Sequence, residues 1–413
     1  MTTDTQVNRF RNITIRRALI AGLTLTVATI TVLGGALPSS ADSPRAGNPA
    51  APAASSCNVS GIIDSDTTWS PATCDPYIVT GNLSVQSGAT LNIQPGTTVK
   101  FDSSKVLAVQ GTLVAQGTAA SPIAFTSNLT SPAKGDWGYI HFADPSTDAA
   151  FDGDGNYTGG SIIQYAVIKY AGGASVSWRG ALHIEDSSPF IDHNIVRDSQ
   201  DDGIHVWSDG APRITDNTIT GNSDYGIYTY NSSPTIQNNI ITGNTGGGIC
   251  VYGYSGTATI SGNTITGNTG GGICVHGSGA TISSNTITGN TAAYYGGGIS
   301  VSSGNPAIQN NTIISNTAAR ANQGGGISLL NGSYPTINDN DLYGNMTGDP
   351  ADTPNDIYNG NAYAGGDVDA ENNYWGTTDP GVIEDHIWHF MDDPSLGFVD
   401  YIPFRTSPIS APT

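Results

Sequence analysis

The sequence predicts an all-β fold: a single-stranded right-handed parallel β-helix, a solenoid of roughly eleven coils with N- and C-terminal caps. Three observations predict it. A unit of three short strands separated by Asn and Gly-rich turns recurs over residues 189–345. Short alternating strands, broken by Gly, Pro and Ser, fill residues 77–127, and one further coil of the same pattern covers residues 159–170.

The first 41 residues have the pattern of a signal peptide. Four arginines precede an uncharged apolar run over residues 18–37, and small residues follow it. We expect cleavage after Ala41. The apolar run is also long enough to span a bilayer, so an uncleaved anchor is the alternative.

The rest of the chain divides by composition. Residues 42–56 are rich in Ala and Pro and predict a disordered linker, because they cannot bury enough surface to fold. We place the β-helix at residues 57–345, a C-terminal capping segment at 346–405 and a short tail at 406–413. We expect no membrane span once the signal peptide is removed.

The charge of the chain is strongly acidic. The whole chain has a net charge of −20. Residues 1–41 carry four Arg and one Asp, a net charge of +3, so the remaining residues carry −23. Nucleic-acid binding requires basic patches that displace counterions, and we expect no nucleic-acid partner.

We expect a monomer that is secreted or held at the cell surface.

The repeat has a steady step that predicts stacked coils. Its third strand carries an anchoring isoleucine, and successive anchors are 22 to 28 residues apart. A unit of this length cannot enclose a core alone, so successive units must stack. The anchors are Ile204, Ile227, Ile249, Ile273, Ile299 and Ile327.

Asparagines recur at two positions of each unit and predict two ladders along the axis. Buried amides at turns can bond to the coils above and below them. The first, the Asn194 ladder, is Asn194, Asn217, Asn239, Asn263, Asn285, Asn311 and Asn340. The second, the Asn222 ladder, is Ser199, Asn222, Asn244, Asn268, Asn290, Asn316 and Asn345.

Four cysteines in an exported chain predict disulfides. Cys57 and Cys74 flank a short segment at the start of the ordered region, where a bond would tie down a cap. Cys250 and Cys274 occupy the same place in consecutive coils, so their Cα atoms should lie about 4.8 Å apart, within disulfide range. The alternative for this second pair is a zinc or copper site with His276.

The Asn-anchored units resemble the parallel β-helix repeats of the pectate-lyase-like superfamily. Residues 81–127, the segment NNYWGTTDP and the later DDPSLGFVDYIPF resemble the opening and closing modules of secreted bacterial β-helix proteins. The resemblance implies the fold across nearly all of the mature chain. It implies little about activity, because this superfamily includes lyases, hydrolases, epimerases and adhesins.

Outward positions of the third strand form two neighbouring columns. The His205 column contains His183, His205, Tyr228, Cys250, Cys274, Ser300 and Ser328. The Trp207 column contains Glu185, Trp207, Tyr230, Tyr252, His276, Ser302 and Leu330. Aromatic and polar side chains on a rigid sheet suit a sugar chain, and we assign substrate binding to His183, Glu185, Trp207, Tyr228, Tyr230 and Tyr252. The alternative is that aromatics merely favour strands and a loop covers them.

Charged residues crowd into two coils near the middle of the chain. In the predicted register Lys169 lies over Arg197, and either can act as the base of a lyase-type reaction assisted by His205. Asp198, Asp201 and Asp202 are candidate calcium ligands, as the superfamily resemblance implies. The alternative is a solvated face held by salt bridges.

We therefore expect a secreted or cell-surface protein that engages extracellular polysaccharide or a cell-surface glycan. If it is an enzyme, a polysaccharide lyase acting on acidic glycans is the expected class, with calcium as the expected cofactor. The alternative is a non-catalytic structural or adhesive surface protein.

Overall fold

Alternating side chains decide which way each short strand faces. In Thr264–Thr266 the central Ile265 is buried and both threonines face outward, and the same pattern recurs in coil after coil. The computed structural model describes residues 54–173, 180–320, 323–348 and 353–409. The predicted signal peptide at 1–41 lies outside the described residues, as do residues 42–53 of the predicted linker and 410–413 of the predicted tail.

Within these ranges the strands stack in parallel as a β-solenoid of about 11 turns with almost no helix, which confirms the predicted fold class. Each regular coil contributes one strand to each of three ladders. The first strand ladder is a 13-stranded sheet. Its strands are Thr67–Trp69, Thr90–Ile93, Thr112–Gln116, Ile162–Gln164, Phe190–Asp192, Arg213–Thr215, Thr235–Gln237, Thr259–Ser261, Thr281–Ser283, Ala307–Gln309, Thr336–Asn338, Val368–Asp369 and Val399–Asp400.

The second and third strand ladders share a 23-stranded sheet, because Cys57–Ile63 and Tyr77–Val85 each run through both. The second ladder continues through Thr98–Phe101, Ile123–Ser127, Ala166–Lys169, Ile195–Arg197, Thr218–Thr220, Ile240–Thr242, Thr264–Thr266, Thr286–Thr288, Thr312–Ile314 and Asp341–Tyr343. The third continues through Leu107–Val109, Ile140–Phe142, Leu182–Glu185, Ile204–Trp207, Tyr225–Tyr230, Gly247–Tyr252, Ile273–His276, Ile299–Ser302, Ile327–Leu330, Ile357–Asn359 and Ile387–Trp388.

Small elements complete the described chain. A hairpin pairs Ala150–Phe151 with Tyr157–Gly159, and a four-stranded sheet joins Thr291–Ala292, Thr317–Ala318, Met346–Thr347 and Thr353–Pro354. A 3₁₀ turn covers Tyr363–Gly365 and one short α-helix covers Pro380–Glu384. No helix in the described ranges has the length and apolar character that crossing a bilayer requires.

The anchoring isoleucines pair in the predicted register. Ile204 pairs with Ile227, which in turn pairs with Ile249, and the series continues unbroken to Ile327. All six side chains are buried, so each coil seals its neighbours against water.

Hydrogen bonds join the two Asn ladders from coil to coil. In a typical step, Asn239 donates from its backbone N–H (2.9 Å) and from Nδ2 (3.0 Å) to Oδ1 of Asn263. The Asn194 ladder runs one step further than predicted, to Asn373, and the Asn222 ladder ends on Asp356. Each amide satisfies backbone groups at a buried turn, which fixes the register.

Both predicted disulfides are present. Cys57 bonds to Cys74 with their Cα atoms 5.6 Å apart, and Cys250 bonds to Cys274 with theirs 4.5 Å apart. Because the second bond uses both thiols, they are not available for the alternative metal site with His276.

Beyond residue 345 the ladders continue in a less regular form. Ile357–Asn359 and Ile387–Trp388 extend the third ladder, and Val368–Asp369 and Val399–Asp400 extend the first. The segment predicted as a C-terminal cap thus contains ladder strands of its own. Trp375 in this segment is buried.

Candidate functional site

The two predicted columns lie side by side on the outer face of the third ladder. His183, His205, Tyr228, Cys250 and Cys274 follow one another in register, and so do Glu185, Trp207, Tyr230, Tyr252 and His276. The His205 column also begins one coil earlier than the sequence indicated, because His141 pairs with His183.

The rings of the Trp207 column stack on one another. Ring centroids are 4.3 Å apart for Trp207 and Tyr230, 5.7 Å for Tyr230 and Tyr252, and 4.5 Å for Tyr252 and His276, each pair tilted by 14°. Sugar stacking uses the face of a ring, and between Trp207 and His276 the ring faces are turned to one another. The column therefore presents ring edges and tyrosine hydroxyls to a ligand.

A buried histidine–carboxylate pair lies at the start of the strand Ile204–Trp207. Nδ1 of His205 is 2.8 Å from Oδ2 of Asp202, and the two side chains are 5% and 2% exposed. The other oxygen of Asp202 accepts the backbone N–H of Tyr225 at 3.0 Å, which fixes the carboxylate.

This geometry sets the tautomer of His205. An ionised carboxylate only accepts hydrogen bonds, so Nδ1 carries the proton and Nε2 is the basic nitrogen. Among the described residues none hydrogen-bonds to Nε2 of His205. The pair therefore has the arrangement of an oriented general base.

The pair opens onto a surface cavity of about 150 Å³. Its lining consists of Asp202, His205, Trp207, Asp224, Tyr225 and Tyr228. Pockets that enclose a whole small ligand start at about 300 Å³, so this cavity admits one part of a larger ligand. A polymer lying along the third ladder is such a ligand.

Acidic groups dominate the cavity rim. Carboxylate oxygens of Asp201, Asp202 and Asp224 lie within 4.8 Å of one another. Burial, then the charges of Asp224 and Asp202, raise the pKa of Tyr225, which keeps its phenol protonated. The three carboxylates are oxygen donors of the kind that calcium prefers.

The structure places the other predicted catalytic and metal-binding residues outside this cavity. Lys169 and Arg197 pair in the predicted register, but on the second ladder. The guanidinium of Arg197 lies 2.9 Å from Asp198, and Nζ of Lys169 lies over the ring of Tyr170. Asp198 is thus engaged with Arg197, while Asp224 takes its place beside Asp201 and Asp202.

Sequence reasoning missed three residues of this region. Asp224 lies in the turn before the strand Tyr225–Tyr230, and Tyr225 is the first residue of that strand. Both precede the anchoring Ile227, from which the strand pattern is counted. His141 lies 42 residues before its register partner His183, because the hairpin Ala150–Phe151/Tyr157–Gly159 and its flanks are inserted between the two coils. The sequence signal for this pairing is the similarity between YIHFA at residues 139–143 and ALHIE at residues 181–185.

A larger cavity of about 370 Å³ lies in the C-terminal segment, beside Glu384, His389 and Tyr401. There Nδ1 of His389 accepts the N–H of Val399 at 3.0 Å, and Nε2 lies 2.7 Å from Glu384. Both nitrogens are engaged, so His389 has no lone pair left for proton transfer. The His205 cavity is therefore the better candidate for acid–base chemistry.

Comparison with known proteins supports the fold. A family model described as "Right handed beta helix region" matches residues 146–292 and 202–374, more than half of the chain, and a "Pectate-lyase like beta helix domain" matches residues 61–177. None of the curated proteins matches the sequence.

Solved structures resemble the chain at low identity. Two mutant forms of the periplasmic alginate epimerase AlgG are 14% identical; one has a TM-score of 0.53 and covers 84% of this chain and 85% of its own, and the other has 0.54 and covers 85% of each. The A-module of the Azotobacter vinelandii mannuronan C-5 epimerase AlgE4 is also 14% identical, with a TM-score of 0.35, covering 71% of this chain and 90% of its own.

At such identities the similarity concerns the fold alone. The family models and the parallel ladders agree on the β-helix architecture, and the matching family model describes a right-handed helix. The chain belongs to the right-handed β-helix family, with a pectate-lyase-like β-helix domain in its N-terminal part.

Proposed function

We propose that this protein engages an extracellular acidic polysaccharide on the outer face of its third ladder, and that His205 moves a proton on the bound sugar. The single observation that carries the proposal is the buried Asp202–His205 pair, with Nε2 as its basic nitrogen, at the cavity beside Trp207. A positioned general base of this kind accelerates proton transfer by about 10²–10⁴-fold.

The chemistry follows from the groups in the cavity. Nε2 of His205 takes the proton from the ring carbon that bears the uronate carboxylate. The electron pair left behind then forms a double bond to the neighbouring carbon and expels the glycosidic oxygen, which receives a proton from Tyr225. If instead Tyr225 protonates the carbanion on its opposite face, the product is the epimer.

Charge balance favours a cation in this reaction. The chain without residues 1–41 carries −23, which opposes a polyanionic substrate. Asp201, Asp202 and Asp224 are the residues that would hold calcium, and calcium there would offset the charge of a uronate carboxylate. This proposal keeps Asp201 and Asp202 from the predicted set and replaces Asp198 by Asp224.

The structural neighbours help to choose the first substrate. AlgG is an alginate epimerase, and its fold is the one seen here. Alginate is therefore the first polymer to test, followed by polygalacturonate.

One observation favours a second candidate, a non-catalytic surface rod. The rings of the Trp207 column stack face to face on one another, as they would if their role were only structural. A binder without activity would still be retarded in gels that contain its glycan, and Trp207→Ala would weaken that retardation.

The two candidates are separated by incubating the purified protein with each polymer, with and without calcium, and measuring unsaturated ends by ultraviolet absorbance and epimer content by NMR. His205→Gln should abolish turnover. His193→Gln is the matched control, because His193 also lies 2.8 Å from an aspartate, Asp192, but outside the cavity. Activity that survives His205→Gln, or its absence on every acidic polymer, would overturn the proposed chemistry.

A further inference from the structure

We propose that His141, His183 and Glu185 form a transition-metal site, suited to zinc, on the coils next to the cavity. His141 and His183 are register partners on adjacent rungs of the third ladder, and Glu185 projects from the same strand face as His183. One donor atom from each of the three side chains lies within 4.8 Å of the other two.

The distances suit a small ion. Nε2 of His141 is 3.1 Å from Oε2 of Glu185, and the two imidazole centroids are 5.0 Å apart. Zinc binds imidazole nitrogen and carboxylate oxygen at about 2.0–2.2 Å, so two ligands at a tetrahedral angle are separated by about 3.4 Å. Only small side-chain movements separate the observed arrangement from coordination.

The donor set selects the class of metal. Two imidazoles and one carboxylate favour zinc and similar divalent transition metals, whereas calcium and magnesium prefer oxygen alone. Three protein ligands leave a fourth position open to water, as in sites that react rather than sites that only hold a fold together.

The surroundings favour binding. The side chain of His141 is only 14% exposed, so water has little access to this part of the site. Glu185 is 27% exposed and provides the approach from solvent, while His183 is fully buried and holds the inner position.

The site is distinct from the proposed base, although it adjoins it. The rings of His183 and His205 stack with centroids 5.2 Å apart, but the base pair is His205 with Asp202. The metal site can therefore exist whether or not the protein transforms a polysaccharide, and His205→Gln should leave metal binding intact.

The test uses the full mature protein after dialysis against a chelator. Zinc binding is measured by calorimetry and by elemental analysis after gel filtration, and cobalt is added as a spectroscopic probe whose visible absorption reports the coordination geometry. We expect one zinc per chain and a four- or five-coordinate cobalt spectrum. Loss of a ligand in His141→Gln or Glu185→Gln should weaken binding at least tenfold.

Two controls keep the outcome decisive. His193→Gln removes a member of a second His and Asp group, Asp192, His193 and Asp216, and should leave zinc binding unchanged. Far-ultraviolet circular dichroism in chelator checks that each variant is folded, and Glu185→Gln preserves side-chain shape if His141→Gln does not fold. Failure of the unaltered protein to retain zinc, or equal binding by folded Glu185→Gln, would overturn the proposal.

Discussion

Asp202 accepts a hydrogen bond from the imidazole of His205, with 2.8 Å between Oδ2 and Nδ1, and both side chains are almost completely buried. The contact links the turn before a strand of the third ladder to the first outward residue of that strand. It fixes which nitrogen of His205 faces the cavity, so the proposed chemistry depends on this one hydrogen bond.

Replacing Asp202 tests that dependence. In Asp202→Asn the amide can donate to Nδ1, which favours the tautomer whose Nε2 carries the proton and is no longer basic. We expect turnover of the active polymer to fall about 10²–10⁴-fold with the fold retained. Asp198→Asn, which alters the nearby contact with Arg197, should leave the rate within a few fold (about the effect of a lost surface ion pair). Equal losses in both variants would point to a general effect of charge.

Removing one amide from the Asn194 ladder should destabilise the whole solenoid. Asn263→Ala leaves the backbone N–H of Asn239 without its acceptor, removes one of the three acceptors of Asn239 Nδ2, and removes the bond from Asn263 Nδ2 to Ile236. Each buried polar group left unsatisfied costs about 1–3 kcal/mol. Urea denaturation should show this loss. The exposed neighbour gives the control, since Thr264→Ala should change the free energy of unfolding by no more than about 0.5 kcal/mol.

The disulfide between adjacent rungs should contribute through the unfolded chain. Cys250 and Cys274 enclose a loop with a sequence separation of 24, for which chain entropy gives a stabilisation of about 3 kcal/mol. The double variant Cys250→Ser/Cys274→Ser should therefore unfold at lower denaturant concentration than the oxidised protein. Ser300→Ala, in the same column one rung further on, serves as the control. An unchanged midpoint would contradict this prediction, because it would mean that the disulfide does not stabilise the folded protein relative to the unfolded chain.

The end of the Asn222 ladder should make stability depend on pH. Burial raises the pKa of Asp356, and its hydrogen bond to His386 raises the pKa of that imidazole. With both values raised, the native state binds more protons than the unfolded state, so stability falls as pH increases. The His386 contribution is complete below the unfolded pKa of about 6.5 and is lost as pH rises through the higher native value.

Thermal unfolding between mildly acidic and mildly alkaline pH measures this dependence. His386→Gln should flatten the decline above about pH 6.5. Asp356→Asn should do the same while leaving an oxygen that can accept from Asn345. A melting temperature that rises through this range in the unaltered protein would show that the sign of the linkage is wrong.

The sequence predicts the ladders well because the same residues recur at the same places in each coil. Asn and the anchoring Ile repeat at nearly constant steps, so the register from Ile204 to Ile327 follows from counting, and with it the positions of Trp207 and Cys250. An inserted hairpin interrupts the count before His183, and for this reason His141 was missed.

The chemistry of the cavity was harder to predict, because part of its lining precedes the anchoring isoleucines from which the strand pattern is counted. Alternation tells which strand residues face outward, but Asp202, Asp224 and Tyr225 precede the anchoring residues. Nor does vertical register show how far apart two ladders lie, so Lys169 and Arg197 were grouped with His205 although they lie on another ladder. The mutual stacking of the aromatic rings depends on side-chain angles, which strand patterns do not specify.

Proton NMR in heavy water gives the sharpest test of proton removal by His205, because the signal of the proton beside the sugar carboxylate is lost in either reaction. Elimination leaves that carbon without hydrogen, and epimerisation replaces the proton by deuterium. The protein is incubated with alginate in deuterated buffer, and the remaining proton signal at that carbon is followed over time. We expect the signal to decay with the unaltered protein and with His193→Gln, and to persist with His205→Gln. Decay at the unaltered rate with His205→Gln, or no decay with any form on alginate or polygalacturonate, would rule out proton removal by His205.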